Sequence, residues 1–349
     1  MLRLGSSGAA VAEVRARLAY LGLCSDTFKE EFSDVFDETI DRAVRTFQQE
    51  RGIHVDGIVG PVTYRNLDEA RWRLGDRVLS FSPGHLVTGD DVTELQRRLN
   101  QLGFNSGRVD GIFGPATDHA LREFQQGVGV PSDGTCGPDT FKAFDRLVRT
   151  VSGGNAAHLR EQLSLASLRT GIANKVIMLD PGSDVEPELC FAIASRTEGR
   201  LAALGTQVVM TRSARLDQIA SSDEDRADFA NKVAADLVLS IHIGTAVNPE
   251  VNGIASFYFG DPQGGAHSVA GRALAELAQE ELVRRTDRLD CRVHPRTWDL
   301  LRRTRMPAMR IELGYISHPH DARRLASVNF HDAVAEGLAS ALTRMCSPI

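Results

Sequence analysis

Three short apolar stretches each carry, at or near their ends, residues that can bind a metal or move a proton. The first, 176–179, runs into Asp180-Pro181-Gly182, the second, 237–241, is followed by His242, and the third, 309–314, contains Glu312. Imidazole nitrogens and carboxylate oxygens are common protein ligands of zinc, and a glutamate can also act as a general base. These residues therefore predict a metal or catalytic site that is assembled from strand ends.

Strand and helix patterns alternate around these stretches. A helical pattern with apolar residues between 189 and 201 precedes a strand pattern at 206–210, and a second helical pattern covers 225–235. Such alternation indicates an α/β sheet, in which ligands gather at the carboxyl ends of the strands. We therefore expect the polar strand ends to meet along one edge of a central sheet.

A sequence repeat organises the first half of the chain. Residues 11–23 match 92–104 at an offset of 81, and 55–64 match 132–141 at an offset of 77. In each copy apolar residues recur at helical spacing, and an Asp-Gly turn precedes Gly-Pro-x-Thr, where proline suits the first turn of a helix. Each copy is therefore predicted to form a compact three-helix unit.

The two copies resemble the peptidoglycan-binding helical repeats found beside many cell-wall hydrolases. The resemblance rests on the paired Leu-Gly, Phe-Gln-Gln and Asp-Gly motifs and covers both copies almost end to end. The groove that this family uses implies that Asp56 and Asp133, with their neighbouring turns, contact peptidoglycan. The alternative interpretation is that these turns only separate helices, as most Gly/Pro turns do.

Residues 174–345 resemble the zinc-dependent N-acetylmuramoyl-L-alanine amidases. The resemblance rests on the Asp-Pro-Gly turn, the Ser-Ile-His strand and the Ile-Glu-Leu-Gly strand, and it implies an α/β domain with a mixed central sheet. Carried over residue by residue, it implies that Glu186, with Glu188 as the neighbouring candidate, and His242 bind zinc. It also implies that Glu312 is the catalytic general base.

The chain departs from the amidase pattern at the first metal ligand. Ser183 occupies the position where the family has a histidine, and only Ser183, Asp184 and Val185 separate Gly182 from Glu186, where amidases usually have a longer loop. A catalytic zinc needs three protein ligands and one open position. Two of the three remain, and Asp184 is the residue whose carboxylate would complete the set.

The composition excludes several classes of partner. The chain has 349 residues, a formal net charge of -6 and a pI near 6.0, so it has no electrostatic footprint for nucleic acid or an anionic membrane. It contains no signal-peptide pattern and no long uncharged apolar stretch, so we expect a cytoplasmic protein without membrane insertion. The five cysteines lack CxxC spacing, which favours reduced thiols over a disulfide framework.

These features together predict a multi-domain protein. Residues 1–75 and 84–149 are expected to form two small all-α peptidoglycan-binding-like repeats. Residues 150–170 are expected to form a linker, and 171–349 an α/β amidase-like domain.

Two hypotheses about function stay open. In the first, the protein is a peptidoglycan-associated amidase homologue with a degenerate zinc site and no bound zinc. It would bind peptidoglycan fragments or precursors, or a cell-wall precursor enzyme, and regulate cell-wall synthesis. Residues 151–154 and 291–301 resemble actinobacterial cytoplasmic pseudo-amidases with the same two-repeat layout, which implies this regulatory role.

In the second hypothesis, the protein is an active zinc amidase. It would hydrolyse the amide bond between N-acetylmuramic acid and L-alanine, with Asp184, Glu186 and His242 holding Zn²⁺ and Glu312 as the base. The serine at position 183 and the short loop favour the first hypothesis, because the mechanism depends on a complete set of metal ligands.

Overall fold

The computed structural model of the chain divides into two compact units, Met1–Arg160 and Glu161–Ile349. The structure describes residues 1–24, 34–147, 165, 168–212, 222–262 and 267–348. Separate hydrophobic clusters form the cores of the two units. The predicted linker at 150–170 lies largely outside the described residues.

The first unit contains six described helices, which form two three-helix repeats as predicted. The helices are α1 (Ala9–Tyr20), α2 (Glu38–Arg51), α3 (Pro61–Ala70), α4 (Asp90–Gln101), α5 (Pro115–Val128) and α6 (Pro138–Leu147). Two short strands, β1 (Leu79–Ser80) and β2 (Thr135–Cys136), pair antiparallel in the second repeat. A bridge between Leu2 and Val59 occupies the same place in the first repeat.

Local sequence signals set the ends of these helices. Pro61 and Pro115 stand in the first turns of α3 and α5, where a missing backbone N–H costs nothing. Gly52 and Gly129 close α2 and α5 in the left-handed conformation, with φ of 65° and 75°. Asp37 caps α2 by accepting a hydrogen bond from the backbone N–H of Ile40.

A buried glutamine organises each Asp-Gly turn. Gln48 donates from Nε2 to Asp56 Oδ1 (2.8 Å) and accepts at Oε1 from the backbone N–H of Gly57 (2.9 Å). Gln125 donates to Asp133 Oδ1 in the same way (3.1 Å). Each aspartate also accepts a backbone N–H two residues further on, so both side chains build their own turns. A contact of Asp56 or Asp133 with peptidoglycan stays a prediction.

A further copy of this turn lies inside the second repeat and was not predicted. Gln96 donates to Asp110 Oδ1 at 2.8 Å and to Thr117 Oγ1 at 3.1 Å. Arg15 stands at the corresponding position of the first repeat, 81 residues earlier, and donates instead to Val35 O and Asp37 Oδ2. Because arginine stands in place of glutamine in the first repeat, a comparison of the two repeats does not detect that these turns correspond.

The second unit contains a sheet flanked by helices. Its strands are β3 (Val176–Pro181), β4 (Gln207–Met210), β5 (Leu237–Gly244), β6 (Ile254–Phe259), β7 (Asp290–Arg296) and β8 (Ala308–Tyr315). Its described helices are α7 (Pro187–Ala203), α8 (Asp223–Lys232), α9 (Val269–Thr286), α10 (Asp299–Arg303), α11 (Pro319–Leu325) and α12 (Val328–Cys346).

The six strands form one mixed sheet in the order β4-β3-β5-β8-β6-β7. Neighbouring strands run parallel, except that β6 is antiparallel to β8. The mixed sheet and the two three-helix repeats together confirm the predicted fold class, two helical repeats followed by an α/β domain. None of the described helices is both long and apolar enough to cross a membrane.

Alternate residues of the strands face two different helical layers. Ile177 and Leu239 pack on the side that includes α7, α9 and α12. Met178, Val238 and Ala308 pack on the side that includes α8 and α10. Side chains two or four residues further along the same strands lie on this second face. They are Asp180, Ser240, His242, Arg310 and Glu312.

The helix predicted over 225–235 is observed as α8, which starts and ends earlier. Ser222 accepts a hydrogen bond from the backbone N–H of Asp225, and Asp225 accepts one from the backbone N–H of Ser222. This reciprocal capping fixes the start of α8 at Asp223.

Candidate active site

The predicted strand-end residues meet at the carboxyl edge of the sheet. His242 on β5 lies directly beside Glu312 on β8, and Asp180 on β3 lies beside Ser240 on β5. All four side chains belong to the face that packs against α8 and α10. The strands β3, β5 and β8 are therefore the elements that position the site.

A chain of hydrogen bonds runs from Asp180 to the ring of His242. Ser240 Oγ lies 2.6 Å from Asp180 Oδ2 and 2.8 Å from His242 Nε2. A carboxylate only accepts hydrogen bonds, so the serine proton goes to Asp180 and Nε2 of the imidazole donates to Ser240. This assigns the proton of the neutral ring to Nε2 and leaves the lone pair on Nδ1.

The other side of the His242 ring lies against the Asp-Pro-Gly turn. A Cβ atom at Gly182 would stand 2.6 Å from His242 Nδ1, which explains why this position carries glycine. The ring is only 3% exposed. Burial lowers the pKa of His242 well below its ordinary value, and the guanidinium groups of Arg310, Arg226 and Arg212 lower it further. The imidazole is therefore neutral at pH 7.

Both carboxylate oxygens of Glu312 have partners. Arg310 Nη2 lies 3.4 Å from Oε1, and the hydroxyl of Tyr315 donates to Oε2 at 2.9 Å. Burial raises the pKa of Tyr315 and the charge of Glu312 raises it further, so the phenol keeps the proton that it donates. Gly244 leaves the space for this contact, since a Cβ there would lie 2.6 Å from the tyrosine ring.

The loop between β3 and α7 carries the other candidate ligands. Asp184, Glu186 and Glu188 are exposed, whereas Ser183 is half-buried with its Oγ 3.5 Å from Asp184 Oδ1. Glu186 adopts the left-handed conformation, with φ of 47°, at the residue before α7. Within the described parts of the chain, no hydrogen bond or ion pair joins these side chains to His242.

Arg212 holds this loop in place. Its Nε donates to Pro181 O and its Nη2 to Gly182 O, each at 3.0 Å, and Nη2 also donates to Pro187 O. One guanidinium thus ties the end of β3 to the first residue of α7. Arg212 thereby holds both ends of the loop that carries Ser183 and Glu186.

The donor set does not fit a catalytic zinc ion. Among the described residues, no group of three His, Cys, Asp or Glu side chains is placed to hold a metal. Zinc in such a site takes three protein ligands, and Ser183 stands where the resemblance to the amidases implies an imidazole. The guanidinium groups that lower the pKa of His242 would also repel a dication.

Four arginines at this site were not predicted. Arg212 follows β4, Arg226 lies on α8, Arg296 ends β7 and Arg310 lies on β8. Arg226 pairs with Asp180 (Nε to Oδ1, 3.2 Å). The sequence contains one usable signal for them, since Arg310 stands two residues before Glu312 on a strand and must share its face.

The fold and the motifs define a two-part protein, and comparison with known sequences identifies its class. A profile described as N-acetylmuramoyl-L-alanine amidase matches residues 176–344, and one described as putative peptidoglycan binding domain matches 7–67 and 88–144. The chain belongs to the N-acetylmuramoyl-L-alanine amidase family, with peptidoglycan-binding repeats in its first half.

Among individual relatives, the N-acetylmuramoyl-L-alanine amidase CwlM of Mycobacterium tuberculosis is 43% identical over 99% of this chain and 89% of its own length. A probable N-acetylmuramoyl-L-alanine amidase of Bacillus licheniformis is 32% identical over 40% of this chain and 43% of its own. The crystal structure of an N-acetylmuramoyl-L-alanine amidase from Clostridium difficile 630 is similar at 25% identity. It covers 48% of this chain and 94% of that one, with a TM-score of 0.43.

Proposed function

We propose that this protein is a regulatory member of the amidase family that binds cell-wall material without hydrolysing it. The ion pair between Arg310 and Glu312 carries the proposal. In an active amidase the corresponding glutamate takes a proton from a water activated by zinc. Here Glu312 faces a fixed positive charge instead, and the same guanidinium opposes the approach of a metal ion to His242.

The two repeats support the binding half of this proposal. They match a peptidoglycan-binding profile, and their turns are held by the buried glutamines described above. Peptidoglycan fragments or precursors are therefore the proposed ligands, and an enzyme that makes such precursors is the proposed protein partner. Within the described part of the chain none of the five cysteines forms a disulfide, which supports a reducing compartment such as the cytoplasm.

The test is metal analysis of protein purified without chelators, combined with hydrolysis of a muramoyl-peptide. We expect much less than one zinc per chain. We also expect peptide release no faster from the wild-type protein than from Glu312→Gln, which removes the carboxylate charge but keeps its shape. Stoichiometric zinc together with cleavage that depends on Glu312 would overturn the proposal.

An active zinc amidase is the second candidate function. The hydrogen-bond chain through Ser240 favours it, because metal-binding histidines commonly donate their second ring nitrogen to a carboxylate or a similar acceptor. It requires Asp184 and Glu186 to approach Nδ1 of His242 when zinc binds. Asp184→Asn should then abolish both zinc binding and cleavage, whereas under the first proposal it changes neither.

A further inference from the structure

Four arginines meet the acids Asp180, Asp223 and Glu312 on the face of the sheet that carries His242. Two of these arginines each have several partners. Arg212 binds backbone carbonyls, and Arg226 pairs with Asp180 and Asp223. Arg296 and Arg310 are the remaining two, and Glu312 is the one acid paired with either of them among the described residues.

Arg296 and Arg310 stand at the same indole ring. The guanidinium carbon of Arg310 lies 4.5 Å from the centre of the Trp298 ring, and that of Arg296 lies 6.0 Å from it. Arg296 also lies 5.3 Å from the centre of the Phe257 ring. The aromatic rings hold both guanidinium planes in fixed positions, as stacking on aromatic faces does.

Both guanidinium groups retain donors. Arg310 Nε is buried and has no hydrogen-bond partner in the described part of the chain, and Nη2 has only the 3.4 Å contact with Glu312. Arg296 donates from Nη1 to the backbone O of Pro295. Burial lowers the pKa of Arg296, as expected of a cation that is only partly compensated. Both side chains are nevertheless reached by solvent.

We propose that Arg296 and Arg310 form an oxyanion-binding site beside Trp298. Guanidinium groups bind carboxylate and phosphate oxygens through paired hydrogen bonds, and two of them on one aromatic support present several donors to the same anion. The inference rests on the proposed function, because it assigns a ligand to an active-site region that no longer turns over substrate. Carboxylates of muramoyl-peptides and phosphates of activated precursors share this chemistry.

Calorimetric titration of the full chain, freed of metal with a chelator, tests the site with two probes. Inorganic phosphate represents the phosphate source and muramoyl dipeptide the carboxylate source. We expect saturable binding of at least one probe that weakens as salt is added. Arg296→Gln and Arg310→Gln should each weaken binding by about tenfold or more, since each removes a charged donor.

Arg272→Gln is the matched control. It removes the same charge from a half-exposed side chain that pairs with Glu276 on α9, and it should leave the dissociation constant within about twofold of wild type. Thermal unfolding shows whether each variant is folded. If Arg310→Gln does not fold, Arg296→Gln still tests the site, because it leaves the pair of Arg310 with Glu312 in place. Absence of saturable binding of either probe, or unchanged binding in a folded Arg296→Gln or Arg310→Gln variant, would refute the site.

The oxyanion site and the proposed function are refuted by different results. Zinc-dependent cleavage would overturn the regulatory proposal whatever the anion data are. An inert protein whose arginine variants bind the probes like wild type would refute only the oxyanion site. Preference for phosphate or for the dipeptide supports the site in either case and identifies the source of the anion.

Discussion

At the scale of single residues, His242 and Glu312 are held mainly by side chains two or three residues away on their own strands. Ser240 and Asp180 hold the imidazole, and Tyr315 and Arg310 hold the carboxylate. The strand motifs predicted that His242 and Glu312 would meet. Arg212, Arg226 and Arg296 escaped prediction because they come from separate elements, and arginine in a sequence usually indicates only a solvated surface.

Gly182 offers a direct test of the packing around His242. In Gly182→Ala the new methyl group would stand 2.6 Å from Nδ1, so the ring must shift and its hydrogen bond to Ser240 must weaken. We expect a loss of about 1–3 kcal/mol in the free energy of unfolding, measured by denaturant titration. Gly199→Ala, in α7 with nothing within 4 Å, is the control and should stabilise by about 0.5–1 kcal/mol. Equal effects of the two substitutions would contradict this account.

At the scale of elements, the α/β alternation and the three-helix repeats were predictable because each rests on local periodicity. The start of α8 was misplaced because its cap, Ser222 with Asp225, is polar and lies outside the apolar pattern. The turn at Asp110 was missed for a related reason. In the first repeat Arg15 replaces Gln96 and donates to Val35 O, as Gln96 donates to Ile112 O.

The buried glutamine of each turn should stabilise its repeat more than the glutamine that follows it in the sequence. Gln48 is buried and bonded to Asp56, Gly57 and Thr63, whereas Gln49 is exposed. Gln48→Ala leaves buried donors and acceptors without partners, so we expect a loss of about 2–3 kcal/mol in the free energy of unfolding. Gln49→Ala should change it by no more than about 0.5 kcal/mol. Denaturant titration of the full chain compares the two, and similar losses would disprove the role of Gln48.

The contact between α9 and α12 should make stability depend on pH. Glu281 is buried, which opposes its ionisation, but hydrogen bonds from Arg284 and Arg344 lower its pKa to about 2. The unfolded chain therefore takes up this proton more readily than the native one. The contribution is present at pH 7 and is lost as the pH falls from about 5 to about 2.

Removal of this carboxylate tests the pH dependence. Glu281→Gln should lower the free energy of unfolding at pH 7 by about 1–2 kcal/mol, a value reduced by the exposure of Arg284 and Arg344. The difference from wild type should shrink towards pH 2. Glu280→Gln, which breaks an exposed pair with Arg344, is the control. A difference that is independent of pH would exclude Glu281 as its source.

At the scale of the whole molecule, the hydrophobic clusters of the described residues stay within one unit each. A chain truncated to residues 1–147 and one that begins at 165 should therefore each unfold cooperatively. Differential scanning calorimetry of the two fragments measures this. A fragment without a cooperative transition would show that its core depends on the other unit.

The arginine contacts of the two tryptophans, Trp72 and Trp298, give each unit its own optical probe. Trp72 lies beneath Arg71 and Arg77, and Trp298 beneath Arg310. Indole fluorescence responds to nearby charge, so the indole emission of a Trp72→Phe protein would come only from Trp298, beside Arg310. Events at that end of the sheet could then be followed in real time in unlabelled protein.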